Sequence, residues 1–534
     1  MKKIAIVGAG PTGIYTFFSL LQQQTPLSIS IFEQADEAGV GMPYSDEENS
    51  KIMLANIASI EIPPIYCTYL EWLQRQEASH LQRYGVKKDT LHDRQFLPRI
   101  LLGEYFRNCF LQLVEQARQL NFEINVYESC QVTDLQVTDS GVILATNQDL
   151  LTETFDLALI ATGHVWPDEE EATRTYFPSP WSGLLEAKID ACNVGIIGTS
   201  LSGLDAAMAV AIQHGSFIEE DNQHVSFQRD SNSEKLHITL MSRTGILPEA
   251  DFYCPIPYKP LRIVTEQALN REIEKGADGL LDRVFKLIQQ EISSADPDWS
   301  QRIALESLNV DTFAQAWFAE RKQHDPFGWA EENLAEVEQN KREKHTVPWR
   351  YAILRLHEAV QEIVPHLNVH DHKRFSKGLA RVFIDNYAAI PSESIRRLLA
   401  LREAGIIHIL ALGEDYEMET NETHTVLKTA DNSYSFNVFI DARGQRPLKI
   451  QDIPFPGLRE QLQKTGEEIP DVGEDYSLQQ PEELRGRVAF GALPWLMHDQ
   501  PFVQGLTACA EIGKAMAQAI AKPASRSRRR LTFD

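Results

Sequence analysis

Two charged residues, Glu33 and Arg243, occupy matching places in two copies of one local pattern: apolar strand, glycine turn, helix, second strand, charged residue. In the first copy Ile4-Ala5-Ile6-Val7 runs into Gly8-Ala9-Gly10-Pro11-Thr12-Gly13 and a helix through Leu21, and a second strand, Leu27 to Phe32, delivers Glu33. Such a turn suits a dinucleotide. Gly8 permits the tight bend, Gly10 lets backbone approach a pyrophosphate, and Gly13 lets the helix pack closely on the strand, so that phosphates sit on the helix's positive end. A carboxylate twenty residues after Gly13 is placed to accept hydrogen bonds from adenosine ribose hydroxyls, and it repels a 2′-phosphate.

The second copy starts at Asn193-Val194-Gly195-Ile196-Ile197 and turns through Gly198-Thr199-Ser200-Leu201-Ser202-Gly203. Serine replaces the middle glycine, and Ser200 can still admit a pyrophosphate and donate a hydrogen bond to it. Thr199 and Ser202 complete the candidate phosphate loop. The following strand, Leu236 to Met241, ends in Ser242-Arg243, and a guanidinium there suits the 2′-phosphate of NADP.

The remaining sequence must position these turns. At 534 residues the chain is expected to form two or three domains. Its 76 Asp+Glu against 51 Lys+Arg give a formal charge of −25, which opposes binding to nucleic acid or an anionic membrane and favours solubility, as a solvated acidic surface does. The apolar run after Met1-Lys2-Lys3 breaks at Gly8, so no signal peptide is expected, no membrane span either, and the cytoplasm is the expected compartment. Cys67, Cys109, Cys130, Cys192, Cys254 and Cys509 lie far apart without any CxxC pair, which argues against metal and dithiol exchange and leaves them buried and reduced.

Between the copies, Gly39-Val40-Gly41-Met42-Pro43-Tyr44 and Leu54-Ala55-Asn56-Ile57 read as loop segments near the first turn. Tyr69 to Arg118 is mostly helical, and four short strands follow, the last ending in Ala161-Thr162-Gly163. Residues 265–370 carry long, charged helical periodicity that could cap an active site or form a dimer face. The segments Phe252–Tyr258 and His324–Trp329 are pocket-edge candidates that read more readily as core. His345, His357, His366, His370 and His372 lack metal-ligand spacing and read as structural or solvated. Ser392 is expected to cap a helix ending at Gly405, and Tyr434 to Ile440 is a strand leading into Asp441-Ala442-Arg443-Gly444, a second return of the Ala-Thr-Gly kind.

Two dinucleotide motifs with an Ala-Thr-Gly strand between them resemble the two-dinucleotide flavoproteins. The Gly39–Tyr44 run, Leu54–Ile57 and the Pro391–Gly405 helix are similar to the bacterial FAD-NAD(P)-binding family. The resemblance implies an α/β fold of two three-layer Rossmann-like domains, the second inserted in the first, plus a helical insertion. Residues 1–165 and 435–534 would bind FAD, 185–264 and 375–430 would bind NADP or NAD, 265–374 would be the insertion, and 522–534 a disordered basic tail. It assigns FAD to Gly8, Gly10, Pro11, Thr12, Gly13 and Glu33, with Met42, Asn56 and Val132 beside them. Ala161, Thr162 and Gly163 close that site, and Gly491, Gln504, Gly505 and Leu506 line its flavin end, where a helix start aims N–H groups at the ring.

Departures are visible. Gly491-Ala492 stands where many such proteins have Gly-Asp, and His164, Trp166-Pro167 and Phe177-Pro178-Ser179-Pro180-Trp181 lack the spacing of enzymes that insert oxygen beside a carbonyl. The expected activity is an FAD-dependent oxidoreductase, its flavin reduced by NADPH in preference to NADH and reoxidised by oxygen or a small substrate. Similarity to N-hydroxylating enzymes favours a monooxygenase. The alternatives are an oxidase or dehydrogenase without a working second site, and a flavin-binding regulatory or scaffold protein.

Overall fold

A computed structural model describes every residue except 24, 47–48, 149–152, 168–170, 221–223, 519 and 521–534, so the basic tail at 522–534 lies outside the described residues. The chain divides into two units. The first comprises Met1–Lys51, Ile57–Val165 and Gln445–Asp534, and the second Ile52–Asn56 and Trp166–Gly444.

The first unit is built on a five-stranded parallel sheet in the order Val488–Phe490, Leu157–Ile160, Lys3–Val7, Ser28–Phe32, Glu123–Tyr127. Its central strands are almost wholly apolar, as a sheet covered on both faces requires. Pairing of Leu157–Ile160 with Val488–Phe490 joins chain segments more than three hundred residues apart, so the sheet is completed by chain from both sides of a long inserted segment. The helix Pro11–Leu21 packs against Gly505–Gln518 and Arg99–Gln119. A hairpin, Val132–Thr138 with Gly141–Thr146, is fastened to the helix Pro456–Gln463: Gln461 accepts from the Val137 N–H at 2.9 Å and donates to the Val137 carbonyl at 2.8 Å.

The second unit repeats the plan. Its parallel sheet runs Ile407–Ala411, His237–Ser242, Asn193–Ile197, Val438–Asp441, Tyr176–Phe177. The single strand expected over Tyr434–Ile440 is two: Ser433–Phe436 closes a three-stranded antiparallel sheet, and at Asn437 the chain crosses to the parallel sheet, where Asn437 N–H donates to the Asn193 carbonyl at 2.9 Å. The boundary expected at 435 therefore falls at 445, because this strand pairs beside Asn193–Ile197. A hairpin, Gly215–Glu219 with Val225–Arg229, lies between the turn helix and its next strand and was not legible as strand.

Eight helices from Glu266 to Tyr387 form the insertion. Thr265, Asp296, Asn309, Asp325 and Asn368 each cap one with a side-chain acceptor. Within the periodic stretch 265–370, the segment Phe313–Gln339 is not one helix: it breaks at 320–325, where Asp325-Pro326 starts a new one. Glu249, leading out of the sheet, accepts from Trp329 Nε1 at 2.9 Å and pairs with the buried Arg350, while Arg321 donates to the Leu247 carbonyl at 2.6 Å and pairs with Asp385 at 2.5 Å. Arg350 holds the Glu249 carboxyl well below the usual range despite its burial. The helix Ser392–Glu403 starts after Pro391, so Ser392 is its first residue and not its cap; its hydroxyl is buried without a hydrogen-bond partner.

Candidate nucleotide sites

In the first unit Gly8 adopts φ +96°, a conformation that L side chains rarely take, and a Cβ there would stand 2.5 Å from the Ala161 carbonyl oxygen. A Cβ on Gly13 would stand 2.1 Å from the Gly8 carbonyl oxygen, so only glycine lets the helix Pro11–Leu21 begin this close to the strand. Gly10 differs: its Cβ would meet only the Gly41 Cα, at 3.3 Å. Gly8 N–H donates to Phe32 at 2.8 Å and Ala161 N–H to Val7 at 2.8 Å, which draws Ala161-Thr162-Gly163 beside the turn. The loop Gly39–Tyr44 lies over it, with the Gly39 N–H donating to Ala9 at 3.0 Å, and this brings Met42 to its rim.

Glu33 is 9 % exposed, and its carboxylate accepts from the N–H groups of Ala9 at 2.9 Å and Ala35 at 3.0 Å. It therefore braces the turn while retaining acceptor capacity for two hydroxyls. Burial raises its pKa, opposed by those N–H groups. The approach to Val132 runs alongside, since Cys130 N–H donates to the Glu33 carbonyl at 2.8 Å. Thr12 and Gly13 are packing residues of the turn helix. The Thr12 hydroxyl hydrogen-bonds the Cys509 thiol, which burial pushes up to about 11.

The contacts Thr12–Cys509, Thr16–Gly513 and Gln23–Ala517 run in step, so Pro11–Leu21 and Gly505–Gln518 are parallel and open their positive ends at the same edge of the sheet. A Cβ on Gly513 would lie 2.6 Å from the Thr16 nitrogen, a close helix–helix contact that the spacing of residues along the chain does not announce. Gln504 and Gly505 are exposed and Leu506 is buried at that end. Gly491 is buried under the same helix, its Cβ position 2.8 Å from Ile512 and Met516, so it packs and leaves no room for more. Asn56 is exposed, and its segment, with Met53 in the core, groups with the second unit and not with the first turn. His164, next after Gly163, has its pKa lowered by burial.

The second turn reproduces the first. Gly198 has φ +123° and a Cβ there would lie 2.6 Å from the Ala442 carbonyl oxygen; a Cβ on Gly203 would lie 2.1 Å from the Gly198 oxygen. Gly198 N–H donates to Met241 at 2.7 Å and Ala442 N–H to Ile197 at 2.8 Å. Ser200 is exposed at the start of the helix Leu201–Ala211 with no side-chain hydrogen bond to the helix, and Ser202 is half-buried. Thr199 faces away, donating to the Ile246 carbonyl at 2.9 Å. Arg243 is exposed and meets Glu414 only at 3.4 Å. Ala442-Arg443-Gly444 fills the place of Ala161-Thr162-Gly163, so Arg443, held by Asp441 at 2.5 Å, stands where the first site has Thr162.

All six cysteines are free; Cys67 and Cys192 are half-buried and not buried as expected. Among the described residues no cluster could hold a metal ion and no helix is long and apolar enough to cross a membrane. His357 is half-buried beside Tyr387, and loss of water around the ring pushes its pKa down to about 4.

Fold and turns together define a protein of the FAD-NAD(P)-binding class, and the family model of that description matches residues 5–165. A second model, the YdhS-like middle domain, matches 265–387. The chain is 87 % identical over its whole length to the uncharacterized protein YdhS of Escherichia coli (strain K12), which it also covers completely, and it belongs to that FAD-NAD(P)-binding family. In overall fold it is similar to the L-lysine 6-monooxygenase of Pseudomonas syringae, with TM-score 0.51 at 13 % identity over 98 % of this chain and 99 % of the other. The ornithine hydroxylase PvdA of Pseudomonas aeruginosa gives 0.50 at 12 % identity over 97 % and 99 %.

Proposed function

We propose that the chain is an FAD-dependent oxidoreductase whose first turn holds FAD permanently and whose second receives NAD(P)H, NADPH in preference to NADH. One observation carries this reading: the same backbone turn occurs twice, with a buried carboxylate after the second strand of one copy and an exposed guanidinium after that of the other. The residues fit the groups. The Gly10 face is open except toward Gly41, and the Cβ positions of Gly163 and Gly505 meet nothing within 4 Å. Glu33 would accept from the ribose hydroxyls of FAD, and the open ends of the two parallel helices would face its phosphates and the electron-rich edge of its ring. At the second turn Ser200 would donate to a pyrophosphate oxygen and Arg243 would grip the 2′-phosphate.

The flavin supplies hydride acceptance and oxygen chemistry when bound; the protein binds, orients and shields. The named activities of the lysine and ornithine hydroxylases with this fold support reoxidation by oxygen in a monooxygenase of a small organic substrate.

The test is the visible spectrum of the purified protein, followed by NADPH or NADH under argon and then by air. A yellow protein that bleaches with NADPH faster than with NADH is the expected result. A yellow protein that neither nucleotide bleaches would remove the second site from the reading. A colourless protein that cannot be loaded with FAD would overturn it. Stoichiometric peroxide release in air, undiminished by any of a panel of amino acids and amines, would exclude the monooxygenase form.

A further inference from the structure

Within the insertion, a cavity of about 530 Å³ opens between the helices Val310–Ala319, Val369–Lys377 and Leu379–Tyr387. Its wall is cationic in a chain whose net charge is −25. Arg374 is not the cause, being consumed by structure: it pairs with Asp282 and Asp311 at 2.8 Å and Asp371 at 3.0 Å, and so ties together three helices. Four further cations, Lys322, Lys373, Lys377 and Arg381, line the same cavity, and among the described residues none has a carboxylate within ion-pair distance. Asp311 is the one carboxylate on the wall, and it is already bound to Arg374.

The placement of these cations works against the fold's own electrostatics. Lys373 and Lys377 are four residues apart on one helix face, a like-charge spacing that destabilises a helix. Lys377, in the last turn, recovers part of that cost through the helix dipole, and Lys373, at mid-helix, does not. No such offset exists for Arg381, which lies in the first turn of Leu379–Tyr387, where a cation is disfavoured and no acidic residue accompanies it. Lys322 reaches the cavity from a different element altogether, after the helix Val310–Ala319. Convergence is enforced by Gly378: a Cβ there would stand 2.8 Å from the Val310 carbonyl oxygen, so the junction of the two lysine- and arginine-bearing helices can close on Val310–Ala319 only with glycine. The floor is apolar, made by Ala314 and Phe318, and the Arg381 guanidinium lies 5.6 Å from the Phe318 ring centre.

We propose that this cavity is a binding site for a small anionic molecule that carries at least two negative charges, as a phosphate monoester does, on an apolar or aromatic body. The anionic group lies among Lys322, Lys373, Lys377 and Arg381, and the body rests on Ala314 and Phe318. The volume is that of an ordinary small-molecule pocket. The site is separate in residues from both glycine turns, and it does not depend on which redox reaction they serve.

The probe is 1-naphthyl phosphate, titrated into the full-length protein with its own bound cofactor and followed by calorimetry in low salt, against 1-naphthol and inorganic phosphate as half-ligands. The wild-type protein should bind the probe more tightly than either half, and 0.5 M NaCl should weaken binding several-fold. Lys373→Gln with Lys377→Gln should weaken it about tenfold, as should Arg381→Gln, with thermal unfolding unchanged or slightly improved by relief of repulsion. Arg243→Ala should leave it unaltered. Absence of binding to the wild type, equal binding by the lysine double variant, or loss in Arg243→Ala alone would each overturn the proposal. A folding defect in Arg381→Gln would leave the surface lysine variant as the deciding one.

Discussion

The two glycine turns share a backbone and differ in what their side chains offer. Gly8 and Gly198 both take positive φ, both press a carbonyl of the returning strand, at 2.5 and 2.6 Å from the Cβ position, and both are closed on by the helix glycine at 2.1 Å. The differences that bear most on a ligand are Gly10 against Ser200, Thr162 against Arg443, and Glu33 against Ser242-Arg243, since Phe32 and Met241 are the residues that accept from the turn glycines and Arg243 stands one residue beyond the place of Glu33. Glu33 is buried and hydrogen-bonded to its own turn, so it is part of the scaffold before any ligand arrives, whereas Arg243 is exposed and held only by a distant Glu414. A ligand at the first turn joins a preorganised acceptor, and one at the second must fix the side chain of an exposed cation. That contrast fits a resident nucleotide in one place and an exchanging one in the other.

The strongest way to break the comparison is to remove the shared feature from one copy at a time. Gly13→Ala and Gly203→Ala each force a methyl onto a backbone oxygen, a local cost of about 3 kcal/mol that displaces the helix start. Gly13→Ala should give colourless protein. Gly203→Ala should give yellow protein that NADPH no longer bleaches, measured by absorbance under argon. The reverse assignment would exchange the two nucleotides between the turns.

Next in size is Glu33→Gln. It replaces one acceptor oxygen by a donor facing either the Ala9 or the Ala35 N–H, and it weakens acceptance from ribose, for about 2 kcal/mol or some thirtyfold in FAD affinity. Because burial raises the Glu33 pKa, the free protein takes up a proton there more readily than an ordinary carboxyl. The ionised form is the better acceptor, so FAD affinity should fall as the pH drops, beginning above the ordinary carboxylate range near 4.5. Glu33→Gln should lose that acid limb. Flavin release measured by fluorescence across pH 4 to 7 in both proteins checks the sign; a parallel acid limb in the variant assigns it elsewhere.

These contrasts explain how far the sequence could be read. Both turns, the charged residues after their strands, and the return at Ala161 were legible because each depends on a few consecutive residues whose backbone demands are stringent. The boundary at 445 was not, because Ser433–Phe436 and Val438–Asp441 form one apolar run, and what divides them is a change of partner at Asn437. Gly513 escaped for a similar reason: it is needed only because Thr16, almost five hundred residues earlier, lies against it. Asn56 was given to the FAD site by the family resemblance, and only packing shows that its segment groups with the other unit. Local rules find turns, and long-range contacts decide which unit a residue serves.

Arg243→Ala probes the exposed member of the pair. Its contact with Glu414 is long and open to solvent, so its loss should cost the folded protein almost nothing. Its effect should show only with a 2′-phosphate present, raising KM for NADPH about tenfold and leaving KM for NADH nearly unchanged. Equal effects on the two nucleotides would move the phosphate contact to another residue, with Arg443 the first to examine by the same pair of measurements.

The smallest effect belongs to Ser200, and its size decides whether the second turn is a complete site or a weakened copy. Ser200 has φ −83° and ψ −172°, extended backbone that any residue adopts, and its hydroxyl makes no capping bond, so Ser200→Gly relieves no strain and removes no internal contact. If the hydroxyl donates to a pyrophosphate oxygen, its removal loses one charge-assisted hydrogen bond while opening space for a closer approach of the backbone, and the two nearly offset. The expected change in NADPH affinity is a weakening of less than about threefold, and Ser200→Ala, which gives up the donor and keeps the Cβ, should be the worse of the two. A gain of tenfold or more in Ser200→Gly would mean that the serine obstructs the nucleotide, and the first turn would then be the only one of the pair built to hold its phosphates unaided.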